Sequence, residues 1–184
     1  PAWQGRVMTT SAAGDEGDSY GWINYSFIKK RQIDLQFNPV GGEERFWLGP
    51  EGGVFSLYFR QGEKQIYKNW KVPPVLDIEA FKSQSKNCIC LTKEGCLTNA
   101  CGTTFYLNIK RTISLLDINE FAASFNLEFP KDIKAVAYKS DNQITNIGNE
   151  SWNKETGLIS VWMLSMFNPT SATTVFIPYK QSRK

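Results

Sequence analysis

From Val7 to Tyr179 apolar residues return at every second position, in short runs rich in Thr, Ile and aromatics, broken by Gly, Pro, Asn and Asp. A period of two places alternate side chains on opposite faces of a strand, so the chain reads as mostly β with antiparallel neighbours. "GRVMTTSA", "WINYSFI", "VFSLYFRQG", "TTFYLNIKRTISLL", "GLISVWMLSMF" and "TTVFIPY" are the strand expectations. In "VFSLYFRQG", Phe55, Leu57 and Phe59 fall on one side and Ser56, Tyr58 and Arg60 on the other. "NCICLTKEGCLTN" reads as a hairpin turning at "TKEG", and "KAVAYKSDNQITNIGNESW" as strand, turn at Ser140 to Asn142, strand, then a turn at "NIGNE". Asp141 and Asn142 are turn formers in that reading.

One helix interrupts the pattern near residues 117–126. Asp117 stands as N-cap with Glu120 three residues on, Phe121 and Phe125 share a face, and Pro130 forbids continuation. The Pro73–Pro74 region is an extended surface connection. With 184 residues and 41% apolar content, the chain is one β-sandwich domain or part of a larger one. It opens on Pro1 and not on Met, inside what reads as a strand, which fits processing or a cut from a longer protein.

Composition removes whole classes of function. The net charge is +3 and no basic run exceeds Lys29 to Arg31, so nucleic acid has no electrostatic footprint here. No stretch approaches the roughly 20 apolar residues of a membrane-spanning helix. Histidine is missing, which excludes Ser/His/Asp triads, Cys/His dyads and His-ligated zinc within these residues. Cys88, Cys90, Cys96 and Cys101 lie close together, but without paired C-x-x-C knuckles. Buried small apolar side chains is the reading that spacing favours, with a disulfide through Cys96 or Cys101 open in an exported protein. No metal and no cofactor is expected.

"GGEERFWLGPEGG", residues 41 to 53, carries the strongest site signal. Glycines at both ends permit turns that other residues resist. Between them Trp47 offers a platform for the apolar face of a sugar, Glu43, Glu44 and Glu51 can accept from its hydroxyls, and Arg45 can donate in a fixed fork. In an extended segment Arg45 and Trp47 share one face and Phe46 and Leu48 point to the core. The competing reading makes Trp47 a core plug and the Glu–Arg neighbours a structural pair. Trp22 and Asn24 in "YGWINY" form a second candidate wall if that run is a strand, with core burial of Trp22 as the alternative. Trp162, in a run as apolar as "SVWMLSMF", reads as core.

"GRVMTTSAAGDEGDSYGWINY", "GGEERFWLGPEGG", "KAVAYKSDNQITNIGNESW" and "ETGLISVWMLSMFNP" together resemble an uncharacterised bacterial family of Bacteroides-type genomes. That family is in turn distantly similar to aldose 1-epimerases, the galactose mutarotases, through an opening "GRVMTT" strand, a glycine-bounded loop and an Asn146-Ile147-Gly148 turn. The resemblance implies a mutarotase-like supersandwich, incomplete in this chain, with strands near Thr173 to Tyr179 pairing with a missing C-terminal segment or a second chain. It implies a carbohydrate-binding or carbohydrate-processing protein of the periplasm or cell envelope. Mutarotases use a late glutamate and histidine acids, so no catalytic residue carries over to a chain without histidine. Two other functions stay open. A carboxylate-based epimerase or lyase would use Glu43, Glu44 or Glu51, with burial beside Trp47 favouring the protonated form. A structural or interaction domain would have no small-molecule site.

Overall fold

The structure, a computed structural model, describes residues 3–179; Pro1 and Ala2 of the opening stretch lie outside them. Six strands form two antiparallel sheets: β1 (Arg45–Gly49), β2 (Lys82–Ser85), β3 (Ile89–Thr98), β4 (Thr104–Leu115), β5 (Tyr138–Asn146) and β6 (Ser160–Leu164). β1 pairs with β6, Trp47 opposite Trp162, and the other four run in the order β2-β3-β4-β5. Two short helices, α1 (Tyr25–Lys29) and α2 (Ile118–Ser124), lie outside the sheets. The mostly β, antiparallel expectation holds.

β4 shows why the pattern works where it works. Phe105, Leu107, Ile109 and Arg111 are buried, while Tyr106 and Lys110 between them are exposed. Leu91 and Leu97 of β3 join the same side, and Phe46 and Leu48 of β1 pack into one core with them. α2 starts as its cap dictates: Asp117 Oδ1 accepts from the backbone N–H of Asn119 at 2.8 Å and of Glu120 at 3.0 Å. Phe121 and Phe125 meet with ring centroids 4.9 Å apart.

Several strand expectations are corrected. "WINYSFI" is not a strand: Asn24 caps α1, its Oδ1 accepting from Phe27 N–H at 3.0 Å. "VFSLYFRQG" alternates but folds as turns, with Ser56 to Phe59 consecutively buried. Its polar backbone groups are met locally, since Leu57 N–H donates to Pro50 O at 3.0 Å and Ser56 N–H to Gly53 O at 3.1 Å. "GRVMTTSA" joins the sheets only by an isolated bridge from Val7 to Glu44.

"NCICLTKEGCLTN" is one unbroken strand rather than a hairpin. Gly95 serves packing there, because a Cβ on it would lie 2.9 Å from Val75 Cγ2. β5 likewise runs straight through Ser140 to Asn142, since the Asn142 amide is committed to Arg111 of the neighbouring strand and not to its own backbone. "TTVFIPY" has no strand partner among the described residues, and Val175, Phe176, Ile177 and Tyr179 are exposed.

The cysteines are not core residues. All four are free; Cys88 and Cys90 are half-buried, Cys96 and Cys101 exposed, because Cys90 and Cys96 sit on the outer face of β3. Among the described residues no group of His, Cys, Asp or Glu is arranged to hold a metal, and no helix is long and apolar enough to cross a membrane.

Candidate functional site

Residues 41 to 53 are where the structure departs furthest from a ligand wall. Every residue of β1 is buried, so Arg45 and Trp47 face protein as fully as Phe46 and Leu48 do. The Trp47 ring stacks on Tyr58 at 5.5 Å and meets Trp162 edge-on at 5.9 Å. The Arg45 guanidinium lies 4.0 Å from the Trp47 ring centre, closing its other contacts. Trp162 itself is half-exposed, because β6 covers β1 from outside and has no layer beyond it among the described residues.

The charges of this stretch are spent internally. Arg45 and Arg6 each donate from Nη2 to Asp77 Oδ1 at 3.0 Å, and Asp77 Oδ2 accepts from Asn38 N–H and Nδ2 at 3.0 and 2.8 Å. Glu44 pairs with the fully buried Arg111 at 2.5 Å and accepts from Ser140 Oγ at 2.8 Å. Glu43 accepts from the Thr10 N–H at 2.6 Å and from its hydroxyl at 2.9 Å. Glu51 is exposed, but its Oε1 accepts from the Trp47 indole at 2.6 Å.

Burial pushes the guanidinium groups of Arg6 and Arg111 below their ordinary range, against the pull of Asp77 and Glu44 respectively. Arg45 is pushed down to about 9, first by burial and then by the charge of Arg6. Burial also raises the phenols of Tyr58 and Tyr138, reinforced by Glu51 and by Glu44 respectively.

Gly41 explains the glycines at the front of the loop. Its φ of 89° is left-handed, and a Cβ there would meet Trp22 O at 2.3 Å. The close approach belongs to Trp22, which is half-exposed and bridged through its backbone to Gly42 and Met166. Trp22 and Asn24 form no common wall, since Asn24 is spent on the helix cap. Glu43 does border a cleft of about 560 Å³, shared with Thr10, Tyr20, Phe121 and Tyr138.

A more enclosed cleft of about 600 Å³ lies where β4 begins and β5 ends. The loop after β5 builds it: Gly148 N–H donates to Asn146 Oδ1 at 2.9 Å, and Asn146 Nδ2 donates to Glu150 O at 2.8 Å. This Asx turn lifts Trp152 onto Phe105, edge to face at 5.8 Å. Tyr106, Asn149, Glu150 and Thr104 line the same hollow, with Tyr106 54% exposed. An aromatic pair with amide, carboxylate and hydroxyl groups around it can hold a polar ring by its flat face and its edge. The sequence reads "NIGNE" as a turn and Asn146-Ile147-Gly148 as part of a family resemblance but not as a site, and the turn followed by Trp152 was the available signal.

A family profile described as a family of unknown function (DUF6786) matches residues 1–184. No curated protein and no solved structure matches the chain.

Proposed function

The chain belongs to the DUF6786 family, and from that premise and the geometry of its clefts we propose that it binds carbohydrate, on a mutarotase-like sandwich, through the hollow at the end of β4 and β5. The observation that carries the reading is the pair Tyr106 and Trp152 bordering one cleft of about 600 Å³ together with Asn149 and Glu150. Sugars present an apolar face and a rim of hydroxyls, and that mixture of rings and planar polar groups is complementary to both. The reading is binding rather than turnover. Glu43 and Glu44, the carboxylates first suited to acid or base work, are each held by a protein partner.

The test is a glycan panel against the wild type, Tyr106→Ala and Glu150→Gln. Tyr106 has an exposed ring, so its loss leaves the fold intact and lowers affinity by about 1–3 kcal/mol if the ring packs on the sugar. Binding that survives both substitutions unchanged, or a panel without any binder, overturns the reading.

A further inference from the structure

The inner face of the four-stranded sheet is covered along only part of its length. Phe105, Leu107 and Ile109 of β4 lie in the core, and Arg111, paired with Glu44, ends that packed stretch. Beyond it Ile113 and Leu115 continue the same face, with Ile89 of β3 opposite Ile113 and Tyr138 of β5 opposite Leu115. Exposure climbs along this surface: Leu91 is 4% exposed, Ile89 46% and Leu115 76%. The N-terminal segment from Gly5 to Thr10 supplies the other wall, with Val7 and Met8 half-buried. It closes on the sheet at one end, where Arg111 Nη1 donates to Gly5 O at 2.9 Å and a Cβ on Gly5 would lie 2.8 Å from Leu91 Cδ1. The result is a groove of about 660 Å³, closed at Leu91 and open toward Leu115. From Arg111 to Leu115 a strand advances about 13 Å, the reach of a medium-length acyl chain.

Charge selects the head group. No Asp or Glu lines the groove. The two acids whose charge reaches Tyr138, Glu44 and Glu43, are held by Arg111 and by Thr10. Of the cations on its wall, Arg6 is consumed by Asp77 and Gly41 O. Lys86 remains, exposed and outside every ion pair among the described residues. It sits in the turn between β2 and β3, its backbone N–H donating to Cys88 O at 3.2 Å, with Ser85 and Asn87 beside it on the same rim. Ammonium, amide and hydroxyl are donors that suit a carboxylate, while the apolar walls favour a hydrocarbon over water.

We propose that this groove binds a medium-chain fatty carboxylate, its tail along Ile89, Ile113 and Leu115 and its head at Lys86. The site is separate from the hollow lined by Tyr106 and Trp152 and stands whether or not that hollow takes a sugar.

The experiment titrates the whole chain calorimetrically with decanoate, acetate and decyltrimethylammonium. Decanoate saturates one site and acetate, the head group alone, does not bind. Decyltrimethylammonium, an equal tail with the opposite charge, binds about tenfold more weakly or less. Leu115→Glu and Lys86→Glu change exposed residues and leave the fold intact. Each weakens decanoate about tenfold or more, and Lys86→Glu narrows the gap to the ammonium. Bound decanoate also slows alkylation of Cys88, which lines the groove, and leaves Cys96 further along β3 unaffected. No saturable binding of decanoate, equal binding of decyltrimethylammonium, or an affinity unmoved by both substitutions overturns the proposal.

Discussion

β1 and the loop after β5 use similar side chains for opposite ends. Each sets a tryptophan near a glutamate, with neighbours able to make several hydrogen bonds. In β1 the indole is 2% exposed and every charge has a partner inside the protein. In the loop, local Asx bonding shapes the backbone and leaves Tyr106 and Glu150 facing a hollow. The lesson is that residue chemistry names what a group can grip, and burial decides whether it grips the protein or a ligand.

Trp47→Ala breaks the comparison most directly. It removes the stack on Tyr58, the contact with Trp162 and the platform under Arg45. The expected cost is about 3–5 kcal/mol of stability, as for a buried tryptophan elsewhere. Chemical denaturation measures it. A variant of native stability with altered glycan affinity would return β1 to the ligand side of the comparison.

Gly95→Val sharpens the fold side. Because a Cβ at residue 95 lies 2.9 Å from Val75 Cγ2, the larger side chain forces β3 off the Pro73–Asp77 segment. Overpacking of this kind costs about 1–3 kcal/mol. The denaturation midpoint measures the loss.

How much was legible follows the same division. β4 and α2 were readable because alternation and a cap are local signals with local causes. β5 was misread at Asn142 because the partner of its amide, Arg111, is 31 residues away in sequence. "VFSLYFRQG" had the right period and the wrong backbone. The Ser56 hydroxyl donates to Glu51 O at 2.5 Å and accepts from Tyr58 N–H at 3.1 Å, so turns satisfy that segment without a neighbouring strand. The burial of Arg6, Arg45 and Arg111 was illegible, since each needs an acid or carbonyl brought in from elsewhere in the chain. The alternation of Arg45 with Phe46 suggested one wet face, and β1 is covered on both.

Tyr58 gives the comparison a pH signature. Its hydroxyl donates to Leu48 O at 2.6 Å and its phenol is raised above the ordinary value of 10.0, by burial first. The folded state therefore keeps its proton where the unfolded chain releases it. Stability from this group is fully present below pH 10 and falls as pH rises beyond it. Tyr58→Phe leaves Leu48 O without its donor and costs about 1–2 kcal/mol at neutral pH, yet flattens the alkaline loss. Denaturation midpoints across pH 9 to about 11 distinguish the two slopes. Equal slopes in wild type and variant would remove Tyr58 as the cause.

The smallest effect is expected at Glu51, which sits between the two regions in character. It is exposed like Glu150, yet its Oε1 accepts from the Trp47 indole at 2.6 Å as a core residue would. Glu51→Gln keeps an acceptor of the same shape at that place and removes only the charge. A charge-assisted bond is worth more than a neutral one, so the loss is about 0.5–1.5 kcal/mol of stability. Indole fluorescence should shift with it, because the Trp47 N–H loses an anionic partner. Glycan affinity should not move at all, since Glu51 serves β1 and not the hollow lined by Glu150. An affinity change from Glu51→Gln equal to that from Glu150→Gln would join the two regions into one binding surface and dissolve the contrast between them.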